Sequence, residues 1–207
     1  MLAELALAAA IGVAAPRPYV ETIGHTTEDR PIVARAVGNR GSDRRVLVIG
    51  CIHGNECAGI RVTRRLAELS APEGSVVWLV HQLNPDGYAA RRRTNAHGVD
   101  LNRDFLAATQ RETRIARKLI LRLQPDVTIW FHQPQSVVRA WGSSRGTAQR
   151  YARLAGVPYR SLRWPPGSAS RWQNGIGQVS FVVELPPGEL DAAAARRYAD
   201  AVLRLSE

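Results

Sequence analysis

The feature that most limits what this chain can fold into is a set of short apolar runs, each of strand length. Val46-Leu47-Val48-Ile49, Val76–Val80 and the run ending Phe181-Val182-Val183 are apolar at successive positions, and Val127–Phe131 is so except at Thr128. Side chains along a strand point alternately to its two faces, so strands of this kind must be covered on both. The segments between them repeat apolar residues with a helical period. The expected strands are Tyr19–Ile23, Ile32–Val37, Val46–Ile49, Val76–Val80, Val127–Phe131 and Val179–Leu185, and the expected helices are Glu56–Glu68, Arg111–Leu123, Thr147–Ala155 and Leu190–Leu205. The pattern predicts an α/β protein with a sheet between helices, and such sheets gather ligands at strand ends.

Two of those strand ends carry metal-binding side chains. Ile49 leads into Gly50-Cys51-Ile52-His53-Gly54-Asn55-Glu56, where a Gly-rich turn into a helix can aim His53 and Glu56 into one space. Alone, this His-x-x-Glu pair also fits a helix cap beside a surface histidine. His132 follows the run Val127–Phe131 and offers a third donor. Three protein ligands leave one position open for water, which is the arrangement of catalytic zinc. Glu184 is conspicuous for another reason: an acidic residue within Phe181–Leu185 is costly unless it is paired or functional.

Other motifs follow in order: Asn84-Pro85-Asp86-Gly87, then Arg93-Thr94-Asn95, then Gly98-Val99-Asp100-Leu101-Asn102-Arg103-Asp104-Phe105. Together with the His–Glu pair and Phe181-Val182-Val183-Glu184-Leu185, the set resembles the zinc carboxypeptidase family, the funnelin metallocarboxypeptidases, from about Tyr19 to the C-terminus. The resemblance implies a twisted mixed β-sheet of about eight strands with helices on both faces. It implies one zinc ion held by His53, Glu56 and His132, with Asp100 accepting the second ring N–H of His53. Glu184 would be the general base, Arg93 would stabilise the oxyanion, and Asn102 and Arg103 would bind the free C-terminal carboxylate of a peptide. Arg91 and Arg92 are read as surface charge.

The chain also departs from the digestive members. The segment after Phe105 is short, and Pro166-Gly167-Ser168-Ala169-Ser170-Arg171-Trp172 lacks the tyrosine those enzymes place on a substrate-covering loop. With Trp130-Phe131-His132-Gln133-Pro134 and the ending Val183-Glu184-Leu185-Pro186, the chain is most similar to bacterial murein peptide amidases, which cut the γ-D-glutamyl bond to meso-diaminopimelate. Ser168, Ser170, Gln133 or Gln173 would then reach the second amino-acid head of diaminopimelate, and Arg171 a further carboxylate. The alternative readings are a broad-specificity carboxypeptidase, an N-acyl amino acid deacylase and a non-catalytic module that binds the cell wall.

Length and composition bound these readings. The 207 residues, 45% hydrophobic, suffice for a single core. Leu2 to Ala15 is too short to span a membrane. Residues 1–15 read as a signal peptide, with Gly12 and Ala14 spaced as at a cleavage site, although Glu4 stands where basic residues are expected; the other reading is a packed N-terminal helix. Residues 16–207 would be the catalytic domain, secreted or in the cell envelope, the alternative location being the cytoplasm. The formal charge is +10, with Lys118 the only lysine. Only Arg91-Arg92-Arg93 forms a tight cluster, without a nucleic-acid motif, so the expected attraction is to an anionic cell wall rather than to nucleic acid. Cys51 and Cys57 are expected as small core residues beside the site, a local disulfide being the other reading.

Overall fold

The computed structural model describes residues 19–206. The expected signal segment, 1–15, lies outside them. Eight strands form one sheet: β1 (Tyr19–His25), β2 (Pro31–Gly38), β3 (Arg44–Ile49), β4 (Ser75–Val80), β5 (Val127–His132), β6 (Val137–Ala140), β7 (Tyr159–Ser161) and β8 (Ser180–Glu184). Their order is β1-β2-β4-β3-β5-β8-β6-β7. The central strands β4, β3, β5 and β8 run parallel, whereas β2 pairs antiparallel with β4 and β6 with β8, giving the mixed sheet that was expected.

The successive apolar positions divide between the two faces as the period of a strand requires. Val46 and Val48 of β3, Ile129 and Phe131 of β5, and Phe181 and Val183 of β8 pack on one side. They meet α1 (Gly59–Ala67), α4 (Arg145–Ala155) and α6 (Ala192–Ser206), which present Val62, Leu66, Tyr151, Tyr198 and Val202 to that side. Leu47, Ile49, Trp130 and Val182 point the other way, against α3 (Arg111–Leu123), α5 (Ala169–Gly175), Leu101 and Phe105. Each fully buried Leu, Ile, Val or Phe contributes about 1.5–3 kcal/mol. Trp130 adds a polar requirement, met where its indole N–H donates to Gln173 Oε1 at 2.9 Å.

The α3 boundaries are those read from the sequence. Helix α1 instead begins at Gly59, because residues 53–58 form the ligand turn. Two strands and two helices were not expected. β6 carries Arg139 and β7 has only three residues, so neither shows an apolar run. α2 (Pro85–Ala89) is one turn of Pro-Asp-Gly-Tyr-Ala, a composition that reads as loop, yet Asn84 caps it by accepting from the Gly87 N–H at 2.9 Å. α5 was obscured by its Gly, Ser and Asn content.

Candidate metal centre

Parallel strands that lie side by side end at the same edge, and β3, β5 and β8 bring the chemistry there. His132 closes β5 in direct register with Glu184 on β8, and the turn after β3 supplies His53 and Glu56. A glycine allows that turn to sit where it does. A Cβ on Gly54 would lie 2.0 Å from the Gly87 carbonyl carbon, so the turn and α2 meet backbone to backbone. Gly167, at φ +75°, serves the opposite wall: a Cβ there would lie 1.9 Å from the Arg103 carbonyl oxygen.

Three donors converge. His53 Nδ1 is 2.9 Å from Glu56 Oε2, His132 Nδ1 is 3.2 Å from the same oxygen, and the two Nδ1 atoms are 3.2 Å apart. Both imidazoles are nearly inaccessible, at 1% and 4% exposure. Asp100 Oδ1 lies 2.9 Å from His53 Nε2. A carboxylate accepts only, so the ring proton belongs on Nε2 and the Nδ1 lone pair faces inward. Lone pairs from two rings and a carboxylate aimed at one point are what a borderline divalent cation accepts, so the residues fit zinc.

The electrostatics agree. Burial would raise the Glu56 carboxyl, but hydrogen bonds from His132 and His53 hold it well below the usual range. Asp100 is likewise held low against burial, by His53 and then Arg93. Burial pulls His132 down to about 4, which keeps its ring neutral and able to donate a lone pair. His53 is opposed by burial yet raised by Asp100 and Glu56, a proton that a dication would displace. Glu184 goes the other way: burial first, then the charge of Glu56, push it up to about 7 against Arg139, His53 and Arg93. Its Oε2 is buried and has no hydrogen-bond partner among the described residues.

Arg93 reaches the same centre, its Nε donating to Asp100 Oδ2 at 3.0 Å and its Nη1 to Glu56 Oε1. Asn102 sits at the edge of a short helical turn, where its Oδ1 accepts from the Ala169 N–H at 2.9 Å. Arg103 is exposed and donates to the Asn102 carbonyl at 2.8 Å. His53, Glu56, His132, Glu184, Asp100 and Arg93 thus meet at the sheet edge, and Asn102 adjoins them through its N–H, which donates to Asp100 Oδ1 at 2.9 Å.

The polar residues expected to read diaminopimelate each make hydrogen bonds within the protein. Gln173 is fully buried and bonded to Trp130, Thr128 and Ser180. Ser170 accepts from the Ser180 hydroxyl at 3.2 Å, and Ser168 donates to the Pro165 carbonyl at 3.0 Å. Gln133 ties Ala58, Pro186 and Gly188 together. Arg171, on the exposed face of α5, donates to the Trp164 carbonyl at 3.1 Å. The cysteines expected as separate core residues are instead joined, Cys51 to Cys57, with a Cα–Cα distance of 4.7 Å.

Asp86 stands in the Asn84-Pro85-Asp86-Gly87 motif. Its buried carboxylate accepts from the Thr26 hydroxyl at 2.7 Å, the Glu28 N–H at 3.2 Å and Arg30 Nη1 at 2.8 Å, which pins the β1–β2 hairpin to α2. An aspartate between Pro and Gly reads as turn chemistry, so only the tertiary partners reveal this task.

Comparison with known proteins agrees with this geometry. Residues 7–125 match the family described as "Protein of unknown function (DUF2817)". Murein peptide amidase A of Escherichia coli strain K12 is 25% identical, over 72% of this chain and 74% of that protein. The crystal structure of murein-tripeptide amidase from Escherichia coli O157 superposes with a TM-score of 0.73 at 23% identity, covering 94% of this chain and 93% of that one. A metallo-carboxypeptidase from Burkholderia cenocepacia gives a TM-score of 0.74 at 19% identity, over 92% of this chain and 64% of that one. The chain thus belongs to the DUF2817 family and has the zinc carboxypeptidase-like fold of the funnelins, with a His–Glu–His trio at the carboxyl edge of its sheet.

Proposed function

We propose that this protein is a zinc-dependent hydrolase that releases the C-terminal residue of a peptide, and that its substrate is a murein peptide cut between γ-D-glutamate and meso-diaminopimelate. The observation that carries the reading is the convergence of His53 Nδ1, Glu56 Oε2 and His132 Nδ1 within 3.2 Å of one another, beside Glu184, whose buried Oε2 has no hydrogen-bond partner among the described residues. His53, Glu56 and His132 would hold one zinc ion. Zinc supplies Lewis-acid polarisation of the scissile carbonyl and makes water a better nucleophile near neutral pH.

The chain's own groups do the rest. Asp100 holds His53 in the tautomer that donates from Nδ1. Glu184, with a carboxyl that titrates near neutrality, takes the proton from the attacking water and returns it to the leaving amine. Arg93, whose guanidinium lies beside Glu56 and Asp100, would stabilise the developing oxyanion. Asn102 and Arg103 bind the terminal carboxylate and set the adjacent amide over the ligand trio. The similarity to murein peptide amidases, along nearly the whole of one such structure, supports the choice of substrate. The Cys51–Cys57 bridge supports an exported, cell-envelope protein, since disulfides persist in oxidising compartments.

The test is release of diaminopimelate from murein tripeptide, compared with ordinary C-terminal dipeptides and with the tripeptide amidated at the diaminopimelate carboxylate. Chelator-sensitive release from the free acid, at least tenfold above the amide, is expected, because the amide lacks a charge-assisted contact of about 1.5–3 kcal/mol. Equal cleavage of acid and amide would refute the carboxylate site. Preference for the dipeptides would replace the murein substrate with a broad carboxypeptidase, and preference for N-acyl amino acids with a deacylase.

A further inference from the structure

A groove of about 1270 Å³ opens beside the ligand turn, lined by Gly54, Asn55 and Cys57 of that turn and by Gln133, which follows His132. Gly54, Asn55 and Cys57 form the end that adjoins the metal ligands, and the exposed face of α1, the segment after α2 and the start of α6 form its length. Five arginines line it against two glutamates: Arg61, Arg64, Arg65, Arg91 and Arg196, with Glu68 and Glu189.

Pairing separates these arginines. Arg65 is bonded to Glu68 at 2.8 Å, and Arg196 lies 3.6 Å from Asp200. Arg61, Arg64 and Arg91 are exposed and have no acidic partner within 4 Å among the described residues. Arg61 and Arg64 stand three residues apart on one face of α1, so both guanidinium groups reach the same stretch of groove. Arg91 is held at φ +51°, a conformation that an L residue adopts at a cost and that turns usually give to Gly or Asn. Tyr88, 43% exposed, supplies an apolar shelf between them and the turn.

A substrate whose carboxylate lies at Asn102–Arg103 and whose amide lies at the ligand trio sends its acyl portion away from the clamp, and this groove begins at Gly54, Asn55 and Gln133, beside the ligands. We propose, resting on the function proposed above, that Arg61, Arg64 and Arg91 bind anionic groups on the acyl side of the scissile amide, and that the preferred substrates are acidic there. In a γ-D-glutamyl peptide the free α-carboxylate of the glutamate is one such group. Guanidinium groups bind carboxylates through paired N–H donors, and a concave setting strengthens the local field.

The test has two arms. In the first, peptides sharing one scissile pair but carrying Glu, Ser or Lys at the two preceding positions are hydrolysed by the zinc-loaded protein. The acidic peptide should exceed the neutral one at least tenfold in kcat/KM, the gain should shrink with salt, and the triple variant R61Q/R64Q/R91Q should abolish it. The control variant R145Q/R153Q/R160Q, which removes the same charge from the far end of the molecule, should retain the preference. In the second arm, a fluorescent tetraglutamate peptide is titrated into metal-free protein and followed by anisotropy; binding should weaken at least fivefold in the groove variant only. Loss of hydrolysis of every peptide with groove-dependent anisotropy retained would reject the hydrolase and leave the anionic site standing. Equal anisotropy in the groove and control variants, an absent charge preference, or tighter binding of a single-stranded oligonucleotide than of the peptide would overturn the proposal.

Discussion

Replacing Glu184 by Gln should make the metal-free protein more stable while removing its activity. The carboxyl is pushed from an ordinary 4.5 up to about 7 by burial and by the neighbouring charge of Glu56, and its inner oxygen has no partner. A group that binds its proton more tightly when folded contributes stability below its unfolded value and loses that contribution as pH rises through the folded one. The Glu184 contribution is therefore complete below about pH 4.5 and gone above about pH 7. A shift of this size would be worth about 3 kcal/mol for a fully enclosed group; for a carboxyl at the open sheet edge, solvent screening reduces it to about 1–2 kcal/mol. Gln keeps the shape without the charge, so the chelated variant at pH 8 should melt roughly 2–8 °C higher than the parent, and the two should converge at pH 4.5. Turnover of the zinc-loaded variant should fall on the order of 10²–10⁴-fold. Calorimetry across pH on chelated samples is the assay. Parallel stability curves, or a less stable variant at pH 8, would show that Glu184 is not a charge held against its surroundings, and the case for it as the base would lose its physical basis.

Three further outcomes are expected. His132→Ala should abolish stoichiometric zinc by elemental analysis, and full retention would remove His132 from the site. Asp86→Ala leaves the Thr26 hydroxyl and the Glu28 N–H without an acceptor and should cost about 2–4 kcal/mol in urea unfolding, the partly exposed Arg30 contributing little. Burial opposes the ionised Asp86, but Thr26, Arg30 and the Glu28 N–H outweigh it and lower its pKa. Its contribution is thus present above its ordinary 3.8 and is lost as pH falls through the lower folded value, so the variant should show a flatter acid limb; an unchanged limb would exclude the linkage. Gly54→Ala puts a methyl into the Gly87 backbone and should weaken zinc binding roughly 10–100-fold in competition with a chromophoric chelator, while unaltered affinity would mean that the turn yields without moving its ligands.

Much of this architecture is legible in the amino-acid sequence. Unbroken apolar strands demanded cover on both faces, and His53, Glu56, His132 and Glu184 stand out because they sit at the ends of such strands. The Arg93, Asp100, Asn102 and Arg103 assignments came through the resemblance, since no periodicity links residues brought together from separate loops. What the sequence withheld depends on partners. Gln173 and Ser170 look like polar residues of a pocket wall until Trp130, Thr128 and Ser180 are seen to occupy them. Cys51 and Cys57 could be paired or separate at the same spacing, because the path of the turn decides it. The groove arginines are indistinguishable in sequence from the other cations of an arginine-rich chain; their gathering along one concave surface beside the ligand turn sets them apart.

The Cys51–Cys57 bridge encloses both His53 and Glu56, and a disulfide, being covalent, also constrains the unfolded chain unless it is reduced. A seven-residue ring confines the imidazole and the carboxylate to each other's neighbourhood, so the oxidised unfolded chain remains a two-donor chelator and keeps part of its hold on the ion. Binding that both ensembles share does not favour either of them. Zinc held by this trio would therefore raise the melting temperature of the oxidised protein by less than its affinity for the native site requires, and the deficit would measure how much of the ligand set survives unfolding.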